Sequence, residues 1–225
     1  MLRISEIFRS VQGEGSLTGT ESVFLRTSGC NLRCRWCDTP YASFEPEGVA
    51  RPYAEPLRAV LDYGVRHVVL TGGEPLLPRD ATPLTAALQE AGRHVTIETA
   101  ATVLRDVDCD LMSISPKRAN SAPEGRWRDR HEAARDRPDV VRAMLDRHRC
   151  QFKFVCQTPA DAEDALRYLD AVPAADRGLV FLMPEGVDAE TLAEREAWLR
   201  PLAEAAGVRF GRRLHVELFG DARGT

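Results

Sequence analysis

No window of the chain approaches the roughly 18 uninterrupted apolar residues of a membrane-spanning helix, so no such span is expected. The opening stretch MLRISEIFRSVQGEG lacks the apolar run of a secretory leader, and export is not expected either. A basic excess is also missing. Lys and Arg number 30 against 34 Asp and Glu, for a net charge of −4 and a pI near 5.8, so nothing favours a nucleic acid or another polyanion as partner. Six cysteines in 225 residues are too few for a secreted disulfide scaffold, which leaves a reducing, cytoplasmic setting as the expectation. Repeats and low-complexity tracts are absent. With 44% hydrophobic residues the chain can build a sizeable core, which excludes disorder and suits one larger domain or two small ones.

What is present is concentrated early. Cys30, Cys34 and Cys37 stand at C-x3-C-x2-C spacing in TSGCNLRCRWCDTPY, three soft ligands with no fourth nearby. A structural zinc site wants a closed set of four protein ligands. A cubane iron–sulfur cluster has four irons, so three thiolates leave one iron for a ligand that is not protein. The spacing therefore points to a cluster with an open corner. The alternatives are a zinc knuckle borrowing a distant His or Cys, and three unrelated thiols.

Strand and helix patterns alternate along the chain. Ser22–Gly29 reads as a buried strand, with the cysteine loop directly after it. Glu55–Tyr63 reads as a helix leading into an apolar strand, His67–Gly73. Thr82–Ala91 is helical with Gly92 as C-cap, and His94–Ala100 and Asp110–Lys117 are the third and fourth strands. The helix Arg137–Arg147 precedes the strand Gln151–Cys156. Thr158 caps a helix reaching Asp170, and Gly178–Glu185 is a sixth strand. A long helix, Asp188–Ala206, precedes a final strand, Arg213–Phe219. This alternation predicts an α/β fold with a mostly parallel sheet: about six βα units in an open, partial (β/α)6-type barrel, short of the roughly 250 residues of a closed eight-unit barrel. Chemistry in such sheets gathers at the C-terminal strand ends. The cysteine loop, Thr71–Pro75 (TGGEP), Glu98–Ala100 (ETA) and Ser115–Lys117 (SPK) all fall there. The polar stretch Arg118–Arg137 reads as a solvated loop with a short exposed helix, or else as a substrate lid; its HEAAR lacks the second His of a zincin motif.

Alone, GGEP is either a tight turn or a ligand-binding turn, Glu98 a rim acid, and SPK a very weak motif. Together with IFRSVQGEGSLTGTESVFLRTSGCNLRCRWCDTPYA they resemble the radical S-adenosylmethionine (SAM) superfamily. The QGEG, CDTP and SPK elements resemble, within it, the 7-carboxy-7-deazaguanine synthase family of the queuosine and 7-deazapurine pathways. The resemblance spans nearly the whole chain. It implies one radical SAM domain over residues 1–225, with a cluster loop at 29–41 and a variable polar insertion at about 118–137. It further implies that Cys30, Cys34 and Cys37 hold a [4Fe–4S] cluster whose fourth iron is chelated by SAM. A lyase reaction follows, in which a 5′-deoxyadenosyl radical contracts the ring of 6-carboxy-5,6,7,8-tetrahydropterin, ammonia leaves and SAM is regenerated. Gly72, Gly73, Glu74, Glu98, Ser115, Pro116 and Lys117 are the implied SAM contacts. Gln12, Gly13, Glu14, Arg26, Thr71 and His215 are the implied substrate contacts. Thr39 would bind Mg2+, with Asp38 helping directly or through water. A low-potential electron donor of flavodoxin or ferredoxin type and a homodimer come with the family.

Several residues keep a plainer alternative. Arg26 can instead pair with Glu21 or Glu14, His215 can be an edge histidine of the last strand, and Trp36 either shields the cluster or covers the core edge. ETAA (Glu98–Ala101) departs from the Glu-Thr-Asn-Gly of many relatives, and the tail FGDARGT matches no substrate-contacting ending. Cys109, Cys150 and Cys156 read as reduced, buried small hydrophobes. Two other functions compete: a glycyl-radical-enzyme activase acting on a protein partner, and a non-catalytic zinc or iron–sulfur module. QGEG and CDTP favour the ring-contracting family over the first, and four decorated strand ends disfavour the second.

Overall fold

A computed structural model of the chain describes residues 1–172 and 175–225. Its strands are β1 (Leu2–Val11), β2 (Glu21–Thr27), β3 (Val49–Arg51), β4 (His67–Gly72), β5 (His94–Thr99), β6 (Leu111–Ile114), β7 (Cys150–Cys156), β8 (Val180–Pro184) and β9 (Arg209–Phe210). They form one sheet in the order β3-β1-β2-β4-β5-β6-β7-β8-β9, with β3 and β9 at its two edges. Every neighbour pair from β2 to β9 is parallel, while β1 pairs antiparallel with both β2 and β3. Because each successive parallel strand adds at the same edge, the sheet curls one way, as in a barrel, and stays open.

The helices are α1 (Ala54–Asp62), α2 (Ala81–Glu90), α3 (Arg128–Arg135), α4 (Pro138–Leu145), α5 (Pro159–Asp170), α6 (Ala189–Ala205) and α7 (Leu214–Phe219). Their starts follow local chemistry. Thr158 and Asp161 form a reciprocal capping box at α5, with Pro159 in its first turn, and Asp188 caps α6 by accepting from Thr191 N at 2.8 Å. The continuous β-branched and aliphatic runs of β4 to β8 bury Val68, Leu70, Val95, Ile97, Phe152, Phe154 and Leu182 in one core. Among the described residues no helix is long and apolar enough to cross a membrane.

Three elements differ from the sequence reading. The alternation of Leu214, Val216 and Leu218 suggests a final strand over Arg213–Phe219, but the segment is the short helix α7; its amide Leu214 N bonds Gly13 O at 2.9 Å, and the last strand is the two-residue β9. The amino-terminal β1 was not anticipated. Its register with β2 sets Phe8 opposite Phe24, with rings stacked 5.1 Å apart, and Glu6 opposite Arg26. The polar stretch after β6 is more than a solvated loop, since His131 on α3 and Ser121 are fully enclosed.

Ala101, just past β5, is the sole non-glycine residue with positive φ (55°) among the described residues, and it is buried. The departure from Asn-Gly thus places a Cβ where glycine would be relaxed. Ala101→Gly is expected to raise unfolding stability by about 1 kcal/mol, read from urea denaturation of the apoprotein. No gain would mean that the left-handed turn carries no strain.

Candidate functional site

The C-terminal ends of the parallel strands surround a cavity of about 450 Å3. The cysteine loop leaves β2 and is held against the end of β4 by backbone bonds from Gly73 N to Thr27 O (3.1 Å) and from Glu74 N to Gly29 O (3.0 Å), while Gly29 N to Ala42 O (2.8 Å) closes the loop on itself. This contact requires glycine. A Cβ on Gly73 would lie 2.3 Å from Gly29 O, and Gly72 has φ +129° with Thr27 O where its Cβ would go.

Cys30, Cys34 and Cys37 are free and all line this cavity. Leu32 N donates to Cys30 Sγ (3.4 Å), and Cys37 Sγ pairs with Ser43 Oγ at 3.2 Å. Burial pushes the Cys30 thiol up to about 11 and the Cys34 thiol up to about 12. Such groups ionise only against a cationic ligand, as thiolates do on a metal. Among the described residues no three His, Cys, Asp or Glu side chains converge on one ion. Three thiols around a common cavity are a donor set that a multinuclear group could use, each sulfur meeting its own iron.

Beside the thiols lies a buried charge network. Lys153, on β7, donates to Glu14 Oε2 at 2.9 Å and to Glu98 Oε1 at 2.7 Å. Arg213 donates to Glu14 Oε1 (3.1 Å), to Asp38 Oδ2 (2.6 Å) and to Gly186 O (2.6 Å). Thr71 Oγ1 donates to Glu98 Oε2 at 3.0 Å, and Gln12 reaches Glu98 Oε1 at 3.4 Å while its own oxygen accepts from Glu14 N. Burial works against the Glu14 charge, but Lys153 and Arg213 outweigh it and hold the carboxyl well below the usual range. Asp38, whose side chain is 44% exposed, is also held below its ordinary value, Arg213 outweighing the desolvation that opposes it. Lys153 loses solvation, yet the two carboxylates raise it further into its charged form.

Most of the residues singled out by sequence open onto this cavity, including Thr39, Arg26 and His215. Gly13 packs against His215 so closely that a Cβ would lie 2.0 Å from its Nδ1. Arg26 pairs neither with Glu21 nor with Glu14; Glu6, opposite it in the β1–β2 register, accepts from its Nε at 2.7 Å and from Tyr41 OH at 2.9 Å. Glu21 goes to Arg9. Two residues do not line the cavity. Pro116 is buried, and Glu74 turns its carboxylate into the core, where it accepts from Thr99 Oγ1 (2.8 and 2.9 Å), Ala100 N (3.0 Å) and Leu76 N (3.1 Å). Burial pushes Glu74 up while those donors oppose the shift, and the carboxylate serves as a clamp between the ends of β4 and β5. Glu98 sits with Gln12, Glu14 and Thr71, not with the Ser115–Lys117 end. Lys117 Nζ donates to Ser115 Oγ at 2.6 Å and lies 5.4 Å from the centre of the Trp36 ring, whose Nε1 donates to Asn120 O (3.0 Å).

Sequence reasoning missed Lys153, Arg213 and the tail. Lys153 left a signal, a lone cation between Phe152 and Phe154 in an otherwise apolar strand, where alternation turns it to the opposite face from its neighbours. Arg213 left none, since its partners are 199 and 175 residues away in sequence. The tail Gly220–Thr225 lines the cavity mouth, with Arg223 stacked 3.9 Å from the Tyr41 ring centre and bonded to Glu47. The remaining cysteines lie elsewhere: Cys150 and Cys156 are buried and Cys109 is half-buried.

A profile of the radical SAM superfamily matches residues 24–148. A 7-carboxy-7-deazaguanine synthase from Rhodopirellula baltica is 45% identical over the whole of this chain and 89% of its own length. Another of that name, from Halobacterium salinarum, is 42% identical over the whole chain and 93% of its own length. In structure, QueE from Escherichia coli superposes with a TM-score of 0.70 at 24% identity, covering 95% of this chain and 94% of that one, a likeness of fold.

The network gives a stability test with a definite sign. A carboxyl whose pKa is lowered in the fold adds stability that is fully present above its unfolded value and is lost as pH falls through the folded one. Glu14 is such a group. Lys153→Met is expected to cost about 3 kcal/mol at neutral pH and to flatten the loss of stability that sets in as pH falls below about 5, with Lys153→Arg keeping most of both. Urea unfolding across pH checks this; an unchanged acid slope in Lys153→Met sinks the assignment.

Proposed function

We infer the reaction from the family: the chain belongs to the 7-carboxy-7-deazaguanine synthases of the radical SAM superfamily. It is a radical SAM lyase that uses a [4Fe–4S] cluster and SAM to make 7-carboxy-7-deazaguanine from 6-carboxy-5,6,7,8-tetrahydropterin with loss of ammonia. The observation that carries the reading at residue level is that the three loop thiols and the Glu14–Lys153–Glu98 network open onto one cavity. When bound, the cluster and SAM supply a 5′-deoxyadenosyl radical; the protein orients the reactants and keeps water out.

Cys30, Cys34 and Cys37 hold the cluster in this proposal. SAM would lie along the ends of β4 and β6, where Gly72 and Gly73 line the cavity with backbone and Lys117 would offer an ammonium to its carboxylate. Glu74 supports that wall from behind, and Glu98 belongs with the substrate. The pterin edge, rich in N–H donors, meets the acceptors Gln12, Glu14 and Glu98, which Lys153, Arg213 and Thr71 fix in place. Arg26 faces the substrate carboxylate with the nitrogens that Glu6 does not use. Thr39 is the single protein oxygen offered to Mg2+, the rest of the shell coming from water and substrate. Asp38, already paired with Arg213, acts on that ion through water. His215 closes the substrate side against Gly13. A low-potential flavodoxin- or ferredoxin-type donor, a homodimer and a cytoplasmic setting complete the proposal, and the family resemblance supports them. An activase for a protein partner fits less well, because fixed opposite charges lining a cavity suit a small polar molecule.

The deciding experiment is mass spectrometry of products after anaerobic incubation of reconstituted protein with SAM, a low-potential reductant, Mg2+ and 6-carboxytetrahydropterin. 7-Carboxy-7-deazaguanine is the expected product, and Cys34→Ala is expected to abolish it. 5′-Deoxyadenosine without that product keeps the radical chemistry and removes the substrate. Neither product, from protein whose cluster is verified, removes the enzyme reading.

A further inference from the structure

The polar segment Arg118–Arg137 contributes no residue to the proposed binding sites, yet it reaches the cysteine loop through three hydrogen bonds. Arg33 N donates to His131 Nδ1 at 3.1 Å, Arg35 N donates to Ser121 O at 3.0 Å, and the Trp36 indole donates to Asn120 O. The first two amides belong to Arg33 and Arg35, the residues on either side of Cys34. His131 Nε2 and Ser121 Oγ are 2.9 Å apart, and Ser121 Oγ donates to Arg118 O at 2.6 Å. Since that hydroxyl's proton is spent on Arg118, it accepts at Nε2, so His131 carries its proton on Nε2 and presents a bare Nδ1 to Arg33. Both residues are fully enclosed, at 1% and 0% exposure, so neither bond can be traded for water. The Arg33 guanidinium, which bonds Cys30 O, lies 4.9 Å from the centre of the Trp127 ring in the same segment. Asn120 in turn donates to Val155 O, tying the segment to β7.

We propose that His131 and Ser121 form a bracket that fixes the backbone of the two residues flanking Cys34, making His131 a positioning residue that slows loss of the metal cluster. The proposal rests on the reading that Cys34 is a cluster ligand. Two amides held by one enclosed pair keep the Cys30–Cys34 arc in shape before any iron is bound. Without Nδ1 the Arg33 amide is an unsatisfied buried donor, and the loop gains by reorganising around it.

The test uses anaerobically reconstituted full-length protein challenged with an iron chelator, following decay of the cluster's visible absorbance and the iron left per chain. His131→Leu, close in volume but with no acceptor, is expected to release iron about tenfold faster than wild type. His131→Asn, whose amide oxygen can take the place of Nδ1, is expected to stay within about threefold. Ser121→Ala, which leaves Nε2 without its acceptor, is expected to fall between them. The bracket is overturned if His131→Leu releases iron at the wild-type rate, or if His131→Asn is as fast as His131→Leu. Should His131→Leu fail to fold, His131→Asn and Ser121→Ala still decide: wild-type rates in both overturn it, and a graded loss with Ser121→Ala the faster supports it. Failure of the wild-type protein to take up iron is a different result, and removes the cluster reading itself.

Discussion

A carboxylate largely withdrawn from water, Glu14, sits between an ammonium and a guanidinium, and the rest of the cavity is arranged around that fact. Removing these charges from solvent is costly, and their attraction offsets the cost only where the geometry is good and the remaining donors are satisfied. Lys153 meets the requirement with bonds to Glu14 and Glu98, and Arg213 with bonds to Glu14, Asp38 and a backbone carbonyl. The enclosed charges come from the loop after β1, the end of β5, the middle of β7 and the start of α7, while the more exposed Asp38 comes from the cysteine loop. Losing any one leaves a buried charge exposed to the low dielectric, so the four elements are pinned to one another by a penalty more than by a gain.

The other side of the cavity is held by different means. There the cysteine loop meets β4 through backbone bonds at distances that exclude a Cβ, and glycine at 72 and 73 is a steric necessity. Glu74 secures the adjoining β5 end by filling its acceptor sites with protein donors. Small residues let the cysteine loop approach, while fixed charges stand on the facing side. One end of the sheet thus carries two kinds of surface without their requirements colliding.

The parallel core was legible because its strands are continuous apolar runs, each followed by a helix with its own caps, and both signals are local. The residues that depend on local spacing were legible too: the cysteines, the paired glycines and the QGEG turn. What escaped was set by long-range pairing. Arg26 offered no clue to Glu6 until β1 was placed antiparallel to β2, and the β1 pattern is broken by polar residues because that edge is only partly buried. The segment Arg213–Phe219 alternates like a strand, yet the docking of Leu214 on Gly13 and the close approach of His215 bend it into a helix. His131 looked like part of a solvated helix since a single enclosed side chain leaves no periodic trace.

The distribution of charge also orients whatever enters. Glu14, Glu98 and Asp38 are opposed by only Lys153 and Arg213, so this part of the cavity keeps an anionic excess and attracts N–H donors. The Arg26 side has the reverse character. Its cation faces the cavity with nitrogens that Glu6 leaves free, Arg223 turns to Glu47 as well as to Glu6, and an anionic group finds donors there in place of the carboxylates around Glu14. A ligand with an amine-rich edge at one end and a carboxylate at the other has one favourable direction. Reversing it would set carboxylate against carboxylate in a low dielectric, where the Coulomb penalty is several times its value in water. Orientation in this site is therefore imposed by repulsion as much as by matching contacts, and it holds before any cofactor is bound because the charges belong to the fold.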